Sequence, residues 1–380
     1  MTLAVEVLGL LAALEILGRI LYPISREGRS KREARRDHRR RLSYLGDDRN
    51  SLAVLRDLYS MEKRYLPFLG WLSAPNIRLR TIETNAQGFR DRASEPRIGG
   101  EYRILITGAS FAWGMGASSN AKTVAGQLET LLNQQGSETR YRVMNGGFLN
   151  WSSRQEHVVV TEFFDAFDPD LVISLSGYND LVALSKGTEI DALAEARLLG
   201  QAVTDHLRPM GTLRALRKLL GTLGLWRLFV LFREELAARA PAARRIYEYD
   251  LQRAHLGVER VVQRYLSIAD FLARKERQYL IALEPEIYSS KKALTVEEFD
   301  LRSRFLEMDL NIVPTLTRYR HDLSARLSSL AGERFQFVDL ACVFDRETEP
   351  VFIDYNHVCD RGNLLVARAL RDTLAQRRSR

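Results

Sequence analysis

Tyr102-Arg103-Ile104-Leu105-Ile106-Thr107-Gly108-Ala109-Ser110 is the stretch on which the fold turns: a short apolar run, then a glycine, then a serine. It reads as a buried strand that ends in a tight turn. Four more short apolar runs follow, over Tyr141 to Met144, Leu171 to Leu175, Tyr279 to Leu283 and Phe335 to Val338, with longer helical patterns between them. Val124, Leu128, Leu131 and Leu132, for instance, recur at helical spacing between the first two runs. Short strands alternating with helices predict a five-stranded parallel sheet covered on both faces, a three-layer α/β/α sandwich. Ligands of such sheets bind beyond the carboxyl ends of the strands. The stretch from about Leu181 to Arg277 is far longer than one crossover needs, so a helical insertion is expected over about 185–275. Within it, the interleaved Leu, Trp, Phe, Arg and Lys residues of Met210 to Arg239 suggest a basic amphipathic helix pair, packed on its own domain or laid on a membrane or the active site.

A serine on a strand-to-helix turn projects its hydroxyl into the crevice at the strand ends, and the following Gly114 and Gly116 let the backbone turn closely. Taken alone, Gly-x-Ser after a strand is common and often only a cap. Near the far end stands Asp354-Tyr355-Asn356-His357. Three-residue spacing lets the Asp carboxylate bond one ring nitrogen of the His, leaving the other to take a proton from Ser110. The other histidines, His38, His157, His206, His255 and His321, have no carboxylate three positions ahead and read as surface or core residues. Ser176-Gly177-Tyr178-Asn179-Asp180 ends the third strand. There the Asn179 amide can donate to a developing oxyanion, or the segment is an ordinary Asx turn.

These motifs, in this order and at strand ends, resemble the SGNH, or GDSL-type, hydrolases, from about Asn85 to Ala369 outside the insertion. The resemblance implies a flavodoxin-like sheet and an esterase site in which Ser110 is the nucleophile, His357 the base, Asp354 its partner and Asn179 an oxyanion donor. It implies an ester substrate, an acylated carbohydrate or lipid, and no metal or organic cofactor. Two departures stand out. Ala109 occupies the place of the motif aspartate before the serine, and in Val143-Met144-Asn145-Gly146-Gly147-Phe148-Leu149-Asn150 the position of a donor glycine falls on Asn150, with Gly147 or Gly146 as alternatives. Asn tolerates unusual backbone angles and keeps its N–H. The chain is also similar to membrane-anchored bacterial members in Asn85 to Asp91, in Leu283-Glu284-Pro285 and in Ser289-Ser290-Lys291-Lys292. Those segments are expected at the rim, with Phe89, Arg90 and Gly177 contacting substrate. Transfer of the acyl group to a surface polysaccharide, or a glycan-binding scaffold of poor activity, are the alternatives to hydrolysis.

The remaining composition narrows the partners. With 380 residues, 46% of them hydrophobic, the chain can bury a full core. Its net charge of +8 is concentrated between Ser25 and Arg41 and in the tail residues Arg377, Arg378 and Arg380, so the rest is near neutral and nucleic acid is not an expected partner. Met1 to Pro23 is apolar apart from Glu6, Glu15 and Arg19, and reads as a retained transmembrane helix, with 24–45 as a basic tether touching membrane lipid and 46–380 as the hydrolase-like domain. Glu15 and Arg19 stand four apart and can pair. The positive-inside rule then puts the domain in the cytoplasm, whereas the family resemblance favours the outside. Cys342 and Cys359 allow one disulfide or none, and two buried thiols is the preferred reading.

Overall fold

The computed structural model describes residues 12–17, 19, 48–93, 95–134, 139–185, 249–308 and 312–378. By its internal contacts the chain divides into two units, and the fold below belongs to the larger, 41–196 with 246–380.

A lead-in layer comes first: helix α1 (Asp48–Ser60) and a two-stranded antiparallel hairpin of β1 (Lys63–Leu66) and β2 (Gly70–Ser73). The central elements follow in the order β3 (Glu101–Gly108), α2 (Ser110–Trp113), α3 (Val124–Asn133), β4 (Arg140–Gly147), α4 (Ser153–Glu162), α5 (Phe164–Phe167), β5 (Leu171–Ser176) and α6 (Tyr178–Ser185). They continue with α7 (Leu251–Arg274), β6 (Gln278–Leu283), α8 (Val296–Met308), α9 (Ile312–Leu330), β7 (Gln336–Asp339) and α10 (Asp360–Arg378). Five strands form one parallel sheet in the order β4-β3-β5-β6-β7, each within one residue of its expected run except β4, which continues three residues past Met144.

The strands are apolar on both faces, so alternate residues feed two separate cores. Leu105, Val172, Tyr279 and Ile281 pack with Val159, Leu181, Val261, Ile268, Leu316 and Leu323, which places α4, α6, α7 and α9 on one face. Ile104, Ile106, Ile173 and Leu280 pack with Val124, Leu128, Val366 and Leu370, which places α3 and α10 on the other. This is the expected three-layer arrangement, in which each fully buried Leu, Ile or Val contributes about 1.5–3 kcal/mol before the entropy of ordering the chain is set against it. Because the chain leaves β3 for β4 on one side and returns past β3 to β5 on the other, the strand order reverses at β3. That reversal opens a crevice at its carboxyl end.

Three expectations change. A single-pass membrane anchor over 1–23 is corrected: among the described residues no helix is long and apolar enough to cross a membrane. Most of that segment, the tether over 24–45 and residues 186–248 of the expected insertion lie outside the described residues. Within residues 12–17 and 19, Glu15 and Arg19 do form the four-apart ion pair, at 2.9 Å. The run of 251–274, counted as insertion, is the long helix α7, whose Val261, Val262, Tyr265 and Ile268 are core residues. Both cysteines are free, Cys359 buried and Cys342 exposed rather than buried.

Candidate active site

Three turns leave the carboxyl ends of adjacent strands side by side. Gly108, the last residue of β3, is paired with Gly147 of β4 on one side and Leu175 of β5 on the other. Ala109 is extended, and Ser110 opens the single-turn helix α2, which Gly114 closes at φ 85. The turn is held from its own backbone, by Trp113 N to Ala109 O at 3.0 Å and Met115 N to Ser110 O at 2.9 Å. From β4, the Asn145 amide donates to Ala112 O at 3.1 Å.

The second component is a hairpin-like segment before α10. Phe352 and Val358 form an antiparallel bridge, and Ile353 N donates to His357 O at 2.9 Å. At its tip the Asp354 carboxylate accepts from the backbone N–H of Asn356 at 3.0 Å and of His357 at 2.9 Å, and its other oxygen meets His357 Nδ1 at 2.8 Å. Burial alone would raise this carboxyl, but the His357 charge and these hydrogen bonds outweigh it and hold it down to about 2. An ionised Asp354 accepts a hydrogen bond from Nδ1–H, which fixes the tautomer and leaves Nε2 as the acceptor facing Ser110 Oγ at 2.7 Å. Gly116, at φ 99, lets the loop after α2 touch this hairpin: a Cβ there would stand 2.7 Å from Val358 O and 2.5 Å from Ile353 Cδ1. Ser110, Asp354 and His357 are all buried, at 6%, 8% and 6% exposure.

The third component is the set of donors. Asn179 is the second residue of α6, half-buried, and one of its amide hydrogens goes to Trp151 O at 2.7 Å, leaving the other free to donate. Gly177 sits before it at φ 129, and a Cβ would come within 2.8 Å of Leu283. Asn150 is exposed and has φ 60, the left-handed conformation that a glycine adopts freely and asparagine tolerates. Gly147 behaves differently, since it lies in β4 and its N–H is taken by Asn145 Oδ1 at 3.1 Å.

Phe89 and Arg90, expected at the substrate rim, are interior residues. Phe89 is fully buried with its ring edge-on to Trp151, Phe163 and Phe167. Arg90 donates to the carbonyls of Thr81 and Gly114 at 2.7 Å and of Ala117 at 3.1 Å, with its guanidinium 4.6 Å over the Trp113 ring. It braces the loop behind Ser110 instead of facing a substrate. Glu284 and Lys292 of the other two rim segments are buried as well.

Several supporting residues have no signal in the sequence beyond being charged. Asp180 joins two of the turns, accepting from Ser153 N at 3.0 Å and Ser153 Oγ at 2.7 Å, with Arg264 3.8 Å away. Glu284 accepts from Tyr178 N at 2.9 Å, just ahead of Asn179. Burial, with the charges of Glu156 and Glu286 adding to it, pushes Glu284 up to about 8, against the Tyr178 and Arg320 contacts that pull it down. Glu156, likewise raised chiefly by burial to about 7, faces Ser174, Ser176 and Tyr265 without a hydrogen bond of good geometry to any of them. His157 lies apart from the site and meets Ser267 Oγ at 3.0 Å, while His255 and His321 are exposed. Among the described residues no cluster of three or more His, Cys, Asp or Glu side chains is arranged to hold a metal ion.

No family model matches the chain. No curated protein matches it either. Solved structures to which it is similar include a protein described as lipolytic and of the G-D-S-L family from Desulfitobacterium hafniense DCB-2, at 10% identity over 71% of this chain and 98% of that one, with a TM-score of 0.38. Others are the acetyl xylan esterase AlAXEase, at 11% identity over 71% and 98% with a TM-score of 0.39, and Axe2, an acetylxylan esterase from Geobacillus stearothermophilus, at 12% over 71% and 92% with a TM-score of 0.38. The first of these carries the family name that the motifs suggest. Likenesses of this size decide nothing about activity, and the chain's own residues have to.

Proposed function

We propose that the chain is a serine ester hydrolase with Ser110 as its nucleophile. One observation carries the reading: Ser110 Oγ lies 2.7 Å from His357 Nε2, and His357 Nδ1 lies 2.8 Å from the buried Asp354 carboxylate, which the histidine and two backbone N–H groups hold below the usual carboxylate range. In this reading His357 takes the Ser110 proton as the oxygen attacks an ester carbonyl, and Asp354 stabilises the imidazolium that results. The oxyanion is met by the free amide hydrogen of Asn179 and by the backbone N–H groups of Ser110 and Asn150, which leave neighbouring strand ends. His357 returns its proton to the departing alcohol, and the same residue then activates water to release the acid from the acyl-enzyme. The substrate class is an acyl ester of a carbohydrate or lipid alcohol, as the motif resemblance implies.

The test is hydrolysis of p-nitrophenyl acetate by the full chain beside its Ser110→Ala variant. Turnover by the parent and a background rate in the variant are expected. Equal rates would overturn the reading.

A further inference from the structure

Glu298 lies outside the constellation just described, yet it is fully buried and one of its carboxylate oxygens is given over to the acid-base hairpin. It is the third residue of α8, and its Oε2 accepts from Lys292 Nζ at 2.6 Å and from Thr295 N at 3.1 Å. Its Oε1 accepts from two consecutive backbone groups of another segment, Val351 N at 2.9 Å and Phe352 N at 3.1 Å. The Lys292 and Glu298 side chains are both 0% exposed.

Stability alone does not explain a pair so completely removed from water. Two apolar side chains of similar volume would fill the same space at no loss, because the desolvation of two charges roughly cancels their attraction. What apolar side chains cannot do is receive the N–H groups of Val351 and Phe352, and those residues are the root of the hairpin. Cys359 N returns to Val351 O at 2.9 Å, Phe352 bridges Val358, and Asp354 and His357 follow on the same arms. The hairpin comes after the edge strand β7 and is seated by the core packing of Val351, Phe352 and Val358 and, near its tip, by Ile287 N donating to Tyr355 O at 2.9 Å. At its root the side-chain acceptor is the Glu298 carboxylate, which therefore bears on where the arms stand against Ser110.

We infer that Glu298, held by Lys292, is a positioning residue that places the Asp354–His357 pair so that His357 stands at hydrogen-bonding distance from Ser110; the inference rests on the ester-hydrolase reading. Lys292 neutralises the carboxylate so that it can be buried, and Glu298 converts that charge into two directional bonds to backbone. Displacement of the root is passed along the short arms to the imidazole. A shift of about 1 Å at a reacting pair commonly costs on the order of 100-fold in rate.

The experiment follows covalent labelling of the full chain by a fluorophosphonate. Ser110 Oγ bonds to phosphorus, fluoride leaves and the proton passes to His357, so the rate constant reports the geometry of the pair and the final extent reports the folded fraction. Glu298→Asp draws the carboxylate back by one methylene while keeping its charge, and should lower the rate constant about tenfold or more, whereas Lys292→Met with Glu298→Gln keeps an oxygen for Val351 and Phe352 and should stay within about threefold of the parent. With p-nitrophenyl acetate the Glu298→Asp loss should appear in kcat, with KM unchanged. A lower final extent at an unchanged rate constant would mean a merely structural role and overturn the inference. Should Glu298→Asp not fold, Lys292→Met with Glu298→Leu takes its place, and labelling as fast as that of the Met/Gln variant overturns the inference. A parent chain that labels no faster than Ser110→Ala sinks the underlying reading instead.

Discussion

Ser110 and His357 meet at 2.7 Å across 247 residues of chain, and the turn that carries one is built quite differently from the hairpin that carries the other. The serine turn leaves a strand with a neighbour on each side, and its own backbone and that of β4 hold it. Its position is inherited from many apolar contacts and ladder bonds, each worth little alone. The hairpin follows the last strand at the sheet edge, and beside its apolar packing and one backbone bond from Ile287 it is held by two carboxylates: Glu298 at its root and Asp354 at its tip. Sheet register is distributed and robust, while a bond from a buried carboxylate is concentrated in one side chain. Single substitutions should therefore injure the hairpin side more than the strand-end side.

The largest expected effect of this kind comes from Asp354→Asn. The amide can still accept from the Asn356 and His357 N–H groups, but it can also donate to Nδ1 and stabilise the wrong tautomer, and kcat should fall about 10⁴-fold. Stability should follow pH in a defined direction. Because the carboxyl is held down to about 2 from its ordinary 3.8, its contribution is complete above pH 4 and is lost as pH falls from there to about 2. The parent should thus exceed the variant by about 2 kcal/mol near pH 6, with the gap closing near pH 2. Steady-state kinetics and denaturant titrations at the two pH values check both halves. A loss of kcat under tenfold would break the contrast between turn and hairpin.

Asn179→Ala addresses the strand-end side. Removing one oxyanion donor should lower kcat about 10²- to 10³-fold. Among the described residues its side chain otherwise makes the bond to Trp151 O, worth about 1 kcal/mol net, so KM and melting temperature should move little. Unchanged kcat in a folded variant would remove Asn179 from the site and leave the donors to backbone alone.

The contrast also explains how far the sequence could be read. Strands such as Ile104 to Ile106 and Leu171 to Leu175 are legible because a sheet covered on both faces requires uninterrupted apolar runs, and the serine, Asn179 and Asp354 with His357 stand at their ends or at a fixed spacing. Asn150 was reached only through the resemblance, as the residue standing where a donor glycine is expected, with Gly147 and Gly146 as alternatives; its φ of 60 is one a glycine adopts freely. Phe89 and Arg90 were misplaced because a buried arginine satisfied by carbonyls has the same letter as one that faces a substrate. Asp180, Glu284, Glu298 and Lys292 went unread as supports for the same reason. Nothing in one sequence tells a charge in the interior from one in water. The apolar start of the chain carries Glu6, Glu15 and Arg19, each costly in lipid, and among the described residues no helix is long and apolar enough to cross a membrane.

Glu284→Gln carries the smallest expected effect on rate and bears on whether buried charge always serves position here. Like Glu298, Glu284 is fully buried and accepts a backbone N–H, that of Tyr178 at 2.9 Å, but it sits at the end of a central strand where the sheet already fixes its neighbours. Burial raises its carboxyl to about 8 from an ordinary 4.5, so in the fold it is neutral at pH 5 to 7. A raised carboxyl contributes its full stability below pH 4.5 and loses it as pH climbs through about 8, because the unfolded chain gives up the proton first. Glutamine offers Tyr178 the same neutral acceptor and has no proton to lose. The variant should match the parent within about 1 kcal/mol at pH 5 and be more stable by a few kcal/mol at pH 8.5, with kcat unchanged at pH 7. Urea titrations at the two pH values decide it: a deficit of the same size at both would mean that the carboxylate is charged in the fold and holds α6 as Glu298 holds the hairpin.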